Sequence, residues 1–336
     1  MSALAKTLFA ATFLLLIAGG LVTSTESGLS VPDWPTTYGQ SMFTFPPSRW
    51  VGGIKFEHSH RLIAATVGML TVVLAIWLLI AERRRWVKVL GGVAVFAVCL
   101  QGLLGGLTVK YLLPTPISVA HACLAQTFFC LTLALAIFTS WSWREGDALK
   151  RARTPLRPSS TPPQIGEGPG EGSNETTATP WAIACFAVLY IQLVLGAWMR
   201  HSAAGLAIPD FPSSFGGLVP DHWNSKIAIH FAHRAWAVVV AVTVFFTVSI
   251  VFRRGASGAA RRAARILAVL LPVQVLLGAF SIWTRKAVPV TVAHQTLGAV
   301  LLASATALAI FVFRDSFLRE QACLEAPPRF SAGAAR

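Results

Sequence analysis

Apolar residues along this chain do not alternate with polar ones at the two-residue period of a half-buried strand. They gather in continuous blocks at roughly 7–24, 60–81, 87–108, 117–140, 180–199, 227–252, 265–284 and 290–312. Each block is about the 20 residues that a helix needs to cross a bilayer, and too long for a barrel strand. Backbone exposed to lipid must satisfy its own hydrogen bonds, so each block is predicted to be a helix. The pattern predicts an all-α polytopic membrane protein with eight transmembrane helices. Between the fourth and fifth blocks, residues 144–179 carry RPSSTPPQIGEGPGEGSNETT and no apolar periodicity, which reads as a flexible linker. The chain thus divides into an N-terminal four-helix half (1–143), the linker (144–179), a C-terminal four-helix half (180–314) and a tail (315–336).

The two halves repeat one another. GLSVPDWPTTYG at Gly28 to Gly39 returns as GLAIPDFPSSFG at Gly205 to Gly216, an offset of 177. Glu57-His58-Ser59-His60-Arg61 answers His230-Phe231-Ala232-His233-Arg234, and Val119-Ala120-His121 answers Val292-Ala293-His294, both at an offset of 173 that Gln101 and Gln274 share. Three ordered matches at nearly one spacing mark a duplication. An even number of spans per unit points both halves the same way across the membrane. The first block pairs with the fifth, so it is read as a retained helix and not as a cleaved signal peptide.

Composition adds the orientation. Hydrophobic residues make up 54% and charged ones 12%, and the mean hydropathy is +0.62, which excludes an ordinary soluble enzyme. With both termini in the cytoplasm, the inner segments hold 19 of the 28 Lys and Arg residues and the outer ones 9, as the positive-inside rule favours. The net charge of +14 is then a matter of basic loops against anionic lipid headgroups, with no nucleic acid required. This predicts a multi-pass protein of the cell membrane. Asn174-Glu175-Thr176 would face the cytoplasm and is a chance match to the glycosylation pattern. Five cysteines without a CxxC give neither a disulfide framework nor a cysteine-rich metal site.

The repeat also sorts the eight histidines. His60 and His233 open the second and sixth spans, and His121 and His294 lie about one turn into the fourth and eighth, all four toward the outer face. Within a half the two spans run the same way, so the pair can face across the bundle interior with a planar ligand between. Two imidazoles are the axial set of a six-coordinate haem iron, and an ionisable group in a span tends to mark function. The plain alternative is a histidine that hydrogen-bonds a neighbouring helix; zinc would want four converging ligands, and no Cys or acid joins either pair. Arg61 and Arg234 follow the ligand candidates, either as snorkelling anchors or as partners for haem propionates. Glu57 lies one turn from His60 and has no carboxylate counterpart, since His230 stands at its place. It is a candidate proton acceptor, or else simply the i+4 partner of Arg61. His58, His201 and His222 read as solvated residues in or beside polar loops. Pro32-Asp33-Trp34-Pro35 and Pro209-Asp210-Phe211-Pro212 stiffen the outer loops, as scaffold or as cover for a ligand's edge.

On these features the chain resembles the haem A synthase family, membrane enzymes that convert haem O to haem A for cytochrome oxidase. The likeness rests on GGLVTSTESGLSVPDWP after the first span, on EHSHR, and on one histidine in each even-numbered span. The resemblance implies two successive oxidations of the porphyrin C8 methyl, through a hydroxymethyl to a hydrate that loses water to a formyl group. It implies that Glu57, His60 and His121 serve the substrate haem O, with Arg61 beside it, and that His233 and His294 hold a haem b cofactor, with Arg234. Partners would be the farnesyltransferase that makes haem O, an electron donor and membrane lipid, with a homo-oligomer as a further expectation. Some bacterial members carry a cysteine pair in the first outer loop; residues 25–58 here hold none, which excludes a thiol step there. The competing reading is a non-enzymatic bis-histidine electron carrier, which has no need of Glu57. A transporter of parallel repeats would need Gly/Pro-interrupted spans paired between the halves.

Overall fold

The computed structural model describes residues 1–144 and 178–324. Eight long helices account for about three-quarters of them: α1 Ser2–Ser24, α2 Ile54–Ala81, α3 Arg85–Lys110, α4 Thr115–Phe138, α5 Ala178–His201, α6 Ser225–Arg253, α7 Gly258–Trp283 and α8 Val288–Leu324. All eight contain a stretch long and apolar enough to span a bilayer. The body of the linker predicted over 144–179, with Asn174, and the end of the tail beyond residue 324 lie outside the described residues.

Every helix begins two to seven residues earlier than its apolar block. α2 starts at Ile54 and α6 at Ser225. Lys55 and Glu57 hide the first turn of α2, because the carboxylate is satisfied by the preceding loop and not by water. His60 therefore sits nearly two turns inside its helix instead of opening it. At α6, Asn224 supplies the start: its side-chain oxygen accepts from the N–H groups of Lys226 and Ile227. α8 runs on to Leu324, into the segment read as the tail.

Within each half, consecutive helices pack side by side and the fourth closes onto the first, so that α1 touches α2 and α4, and α5 touches α6 and α8. α2 and α4 stand diagonally and do not form a packed pair; nor do α6 and α8. The halves meet through α1 on α8, α4 on α5 and α4 on α8, the pairing expected of two similar bundles related by a pseudo-twofold axis. Apolar burial does not drive helices together in lipid, so close contact between them carries the association. The seam illustrates it: Phe9 stacks on Phe129 at 4.8 Å, and Phe129 shares a cluster with Ala299 and Ala303 of α8.

One ion cluster fixes the end opposite the histidines. The Glu82 carboxylate, at the α2–α3 turn, accepts from Arg84 Nε and Nη2 at 3.0 Å and from Arg144 Nη2 at 2.7 Å. The Arg84 bonds foremost, helped by Arg144, hold its pKa down to about 2. Arg84 also donates to the Phe138 carbonyl, which ties the end of α4 to that turn.

Candidate functional site

Each of the four repeated histidines is seated against a glycine of the preceding helix. A Cβ added to Gly19, Gly105 or Gly278 would lie 3.2 Å from Cε1 of His60, His121 or His294, and one on Gly196 would lie 3.0 Å from Cε1 of His233. Hydrogen at that position lets the Cε1 corner of the imidazole come close to the neighbouring backbone, where a Cβ would crowd it. Four residues before each glycine, a carbonyl faces the ring. Gln274 O is 3.2 Å from His294 Nδ1, while the carbonyls of Leu15 and Gln101 stand at longer reach, and the Nδ1 atoms of His60 and His121 have no hydrogen-bond partner. The Gln101 and Gln192 amides donate to the backbone carbonyls of His121 and His233 at 3.0 Å. The glycines recur at the same offsets as the motifs, 177 for Gly19 and Gly196 and 173 for Gly105 and Gly278, so the sequence carried this signal unread.

The geometry suits a planar ligand. His60 and His121 project from diagonal helices that do not pack on each other, as do His233 and His294. The members of each pair are close enough for one ring to sense the other's charge. None of the four rings is fully buried, although protein walls them in, which is the setting of a ring that borders a cleft. Neutral imidazoles held from one side by a glycine shelf, with donor nitrogens and no carboxylate or thiol, fit the axial positions of haem and do not fit a zinc site.

Over each pair sits one of the Pro-Asp-aromatic-Pro loops, built alike. Asp33 accepts from the N–H groups of Tyr38 and Gly39 at 2.7 and 2.8 Å and from the Thr36 hydroxyl; Asp210 accepts from those of Phe215 and Gly216, both at 2.9 Å, and from Ser213. Burial works against the charge of Asp33, but the Gly39 and Tyr38 N–H groups and the Thr36 hydroxyl outweigh it and hold the carboxyl below its ordinary range. Gly39 and Gly216 close the turns at φ of +73° and +83°, where a side chain would be strained. Trp34 reaches down onto α3: a Cβ on Gly106, next to the glycine under His121, would lie 2.6 Å from its ring. In the second half Ala279 takes that place, and Phe211 turns instead to Trp283.

Both arginines of the motif are engaged by these loops. Arg61 donates to the carbonyls of Asp33, Thr36 and Val31 at 2.6, 2.9 and 3.0 Å, and to Glu57 at 2.6 Å. Arg234 donates to Ser213 O and Ile208 O, both at 3.0 Å, and to His230 Nε2 at 3.1 Å. Glu57 completes the first clamp by accepting the Val31 N–H at 2.8 Å, and His230 faces the Ile208 N–H at 3.2 Å in the same way. Propionate recognition, one of the two roles read for these arginines, has to be weighed against this loop-holding role, which no side-chain pattern announces.

Of the three histidines read as solvated, one is misread. His58 is completely buried, with Nδ1 3.2 Å from the Thr37 hydroxyl and its ring between Phe45 and Trp50. His222 is exposed beside Asp221, and His201 ends α5.

The chain is also similar to known proteins over most of its length. The family model described as cytochrome oxidase assembly protein matches residues 54–306, from the start of α2 into α8. The chain is similar to the heme A synthase of Sphingopyxis alaskensis, 29% identical over 95% of this chain and 94% of that protein. It is likewise similar to that of Novosphingobium aromaticivorans, 29% identical over 90% and 93%, and to that of Halalkalibacterium halodurans, 28% identical over 68% of both.

Proposed function

Because this chain belongs to the cytochrome oxidase assembly protein family, we propose that it acts as a haem A synthase, oxidising the C8 methyl of haem O to a formyl group by two successive hydroxylations and loss of water. The observation that carries the reading is the pair of glycine-seated imidazoles on diagonal helices, present twice.

The N-terminal half (1–143) takes haem O between His60 and His121. The C-terminal half (180–314) keeps haem b between His233 and His294. Haem b, when bound there, supplies one-electron redox chemistry. The chain's own groups position and enclose: the glycines set the imidazoles, Arg61 and Arg234 hold the loops above them, and Trp34 closes the outer edge beside His121. Glu57 places a carboxylate between the loop and His60, where it stabilises positive charge or receives the proton released as the methyl is oxidised. Both termini lie in the cytoplasm and the histidines near the outer face, as the 19 to 9 division of basic residues favours. Haem O arrives through the membrane from the farnesyltransferase that makes it.

The test is to express the chain in cells that make haem O but do not oxidise it, and to identify the extracted haems by chromatography. Haem A is expected alongside haem b. Haem O left unchanged in membranes that hold the protein with its haem b would refute the oxidation.

A further inference from the structure

Duplication gives a way to read charge. The first half's Arg61 is matched by the carboxylate of Glu57, and both side chains are nearly buried, 9% and 5% exposed. Its counterpart Arg234 meets only neutral acceptors, namely His230 and two loop carbonyls. Asp33 and Asp210 recur in both loops and cancel in the comparison. The second half also carries a basic residue that the first half lacks: Arg200, whose place in the repeat is held by Thr23.

Arg200 leaves the outer end of α5 and enters the seam between the halves. It donates to the Gln295 side-chain oxygen on α8, and on α1 to Gly20 O at 3.0 Å and to the Ser24 hydroxyl at 2.6 Å. Ser24 in turn meets the Thr291 hydroxyl at 3.1 Å. Every one of these acceptors is neutral, and among the described residues no carboxylate forms an ion pair with Arg200. Glu26, the acid that follows on the chain, is exposed. Gln295 adjoins His294 and is absent from the first half, where Ala122 stands. Arg200 lies within electrostatic reach of the His294 ring, whereas the cation that His60 senses is Arg61, the one already neutralised.

From this asymmetry we infer that Arg200 is a positioning charge for the second half: an uncompensated cation, held by Gln295 and Ser24 beside His294, that makes the haem of that half the easier of the two to reduce. Reduction adds one electron to the haem iron and lowers the charge of the site by one, so a fixed neighbouring cation favours the reduced state. The effect is felt because the site is walled off from water by helices. Reducing equivalents in a chain loaded with both haems then rest in the second half.

The inference rests on the proposed bis-histidine haem in that half, and the experiment separates the two. Redox titration of the purified protein follows the low-spin haem band that depends on His233 and His294; absence of that band in the wild type speaks against the haem assignment and leaves no midpoint for Arg200 to move. With the band present, Arg200→Gln is expected to shift its midpoint to lower potential, and Arg200→Lys to keep it near wild type. Gln295→Glu keeps the arginine but pairs it, and is expected to lower the midpoint as well. Should Arg200→Gln fail to assemble, the Gln295→Glu midpoint decides. A midpoint unmoved in Gln295→Glu, or in Arg200→Gln at full haem content, overturns the inference.

Discussion

Replacing Glu57 by glutamine tests two roles at once, and the geometry shows how to separate them. Both carboxylate oxygens are in use, one accepting the Val31 N–H at 2.8 Å and the other Arg61 Nη2 at 2.6 Å. Glutamine offers one acceptor and one NH₂ group, so either Val31 or Arg61 is left facing a donor. An unsatisfied buried donor costs about 1–3 kcal/mol, and a buried cation deprived of its anion about 3–5 kcal/mol. Since Arg61 keeps three loop carbonyls, a net loss of about 3 kcal/mol is the reasonable expectation, roughly a 100-fold rise in the population with the loop open. Loss of haem A formation in Glu57→Gln alone therefore has two explanations. Glu57→His removes the ambiguity, because the second half already uses that residue. A neutral imidazole carries one N–H, so His230 accepts from only one of Ile208 and Arg234 at a time, and the fold tolerates it. Glu57→His is expected to keep its outer loop closed, measured as protease resistance near wild type, while the ratio of haem A to haem O falls at least tenfold. A wild-type ratio in the histidine variant would refute the chemical role and leave Glu57 as a clamp.

Four further expectations are independent of that one. His233→Ala and His294→Ala should each abolish the low-spin haem b band, and His60→Ala and His121→Ala should leave it in place, read by absorption of the purified protein. Gly196→Val puts a branched side chain where a Cβ alone already stands 3.0 Å from the His233 ring, so the same band should be lost while the protein still accumulates in the membrane. Glu82 is more acidic folded, at about 2, than the ordinary 4.5; its contribution to stability is full above 4.5 and drains away as pH falls toward 2, so thermal unfolding of Glu82→Gln should lack that acid-dependent part of the wild-type profile. Protease added to inside-out vesicles should cut around residues 155–178, and the same segment should be protected in right-side-out ones.

The helices and the histidine pairs were legible because their signals repeat on the scale of the chain. Eight apolar blocks need no partner to be recognised, and the duplication raised four histidines above the other four. What escaped depends on atoms far apart in sequence. His58 stands among Glu57, Ser59 and His60 and reads as polar surface, yet it is buried by Phe45, Trp50 and Thr37, which fold over it from the preceding loop. The arginines' hold on the outer loops was not legible because it runs through backbone carbonyls, which no side chain encodes, whereas the Glu57–Arg61 pair was readable from its i+4 spacing. The glycine shelves were readable in principle; a shift of four residues between the offsets of 177 and 173 separates those on α1 and α5 from the histidines they support.

The same comparison of halves bears on which haem is kept and which is passed on. Both halves share the shelves, the loops and the arginines, and these alone would seat two haems alike. They differ in how the imidazoles are held. In the second half His294 Nδ1 faces the Gln274 carbonyl at 3.2 Å, an acceptor for its N–H. In the first half neither His60 Nδ1 nor His121 Nδ1 has a hydrogen-bond partner. A ligand imidazole anchored at its far nitrogen is fixed in orientation and is the better donor to a metal, whereas an unanchored one turns more freely and binds less firmly. A resident cofactor calls for the first arrangement, and a substrate that must leave as product calls for the second. This difference supports placing haem O with His60 and His121 on grounds separate from Glu57. It also explains why a duplicated bundle would keep its shelves identical and let its anchors diverge.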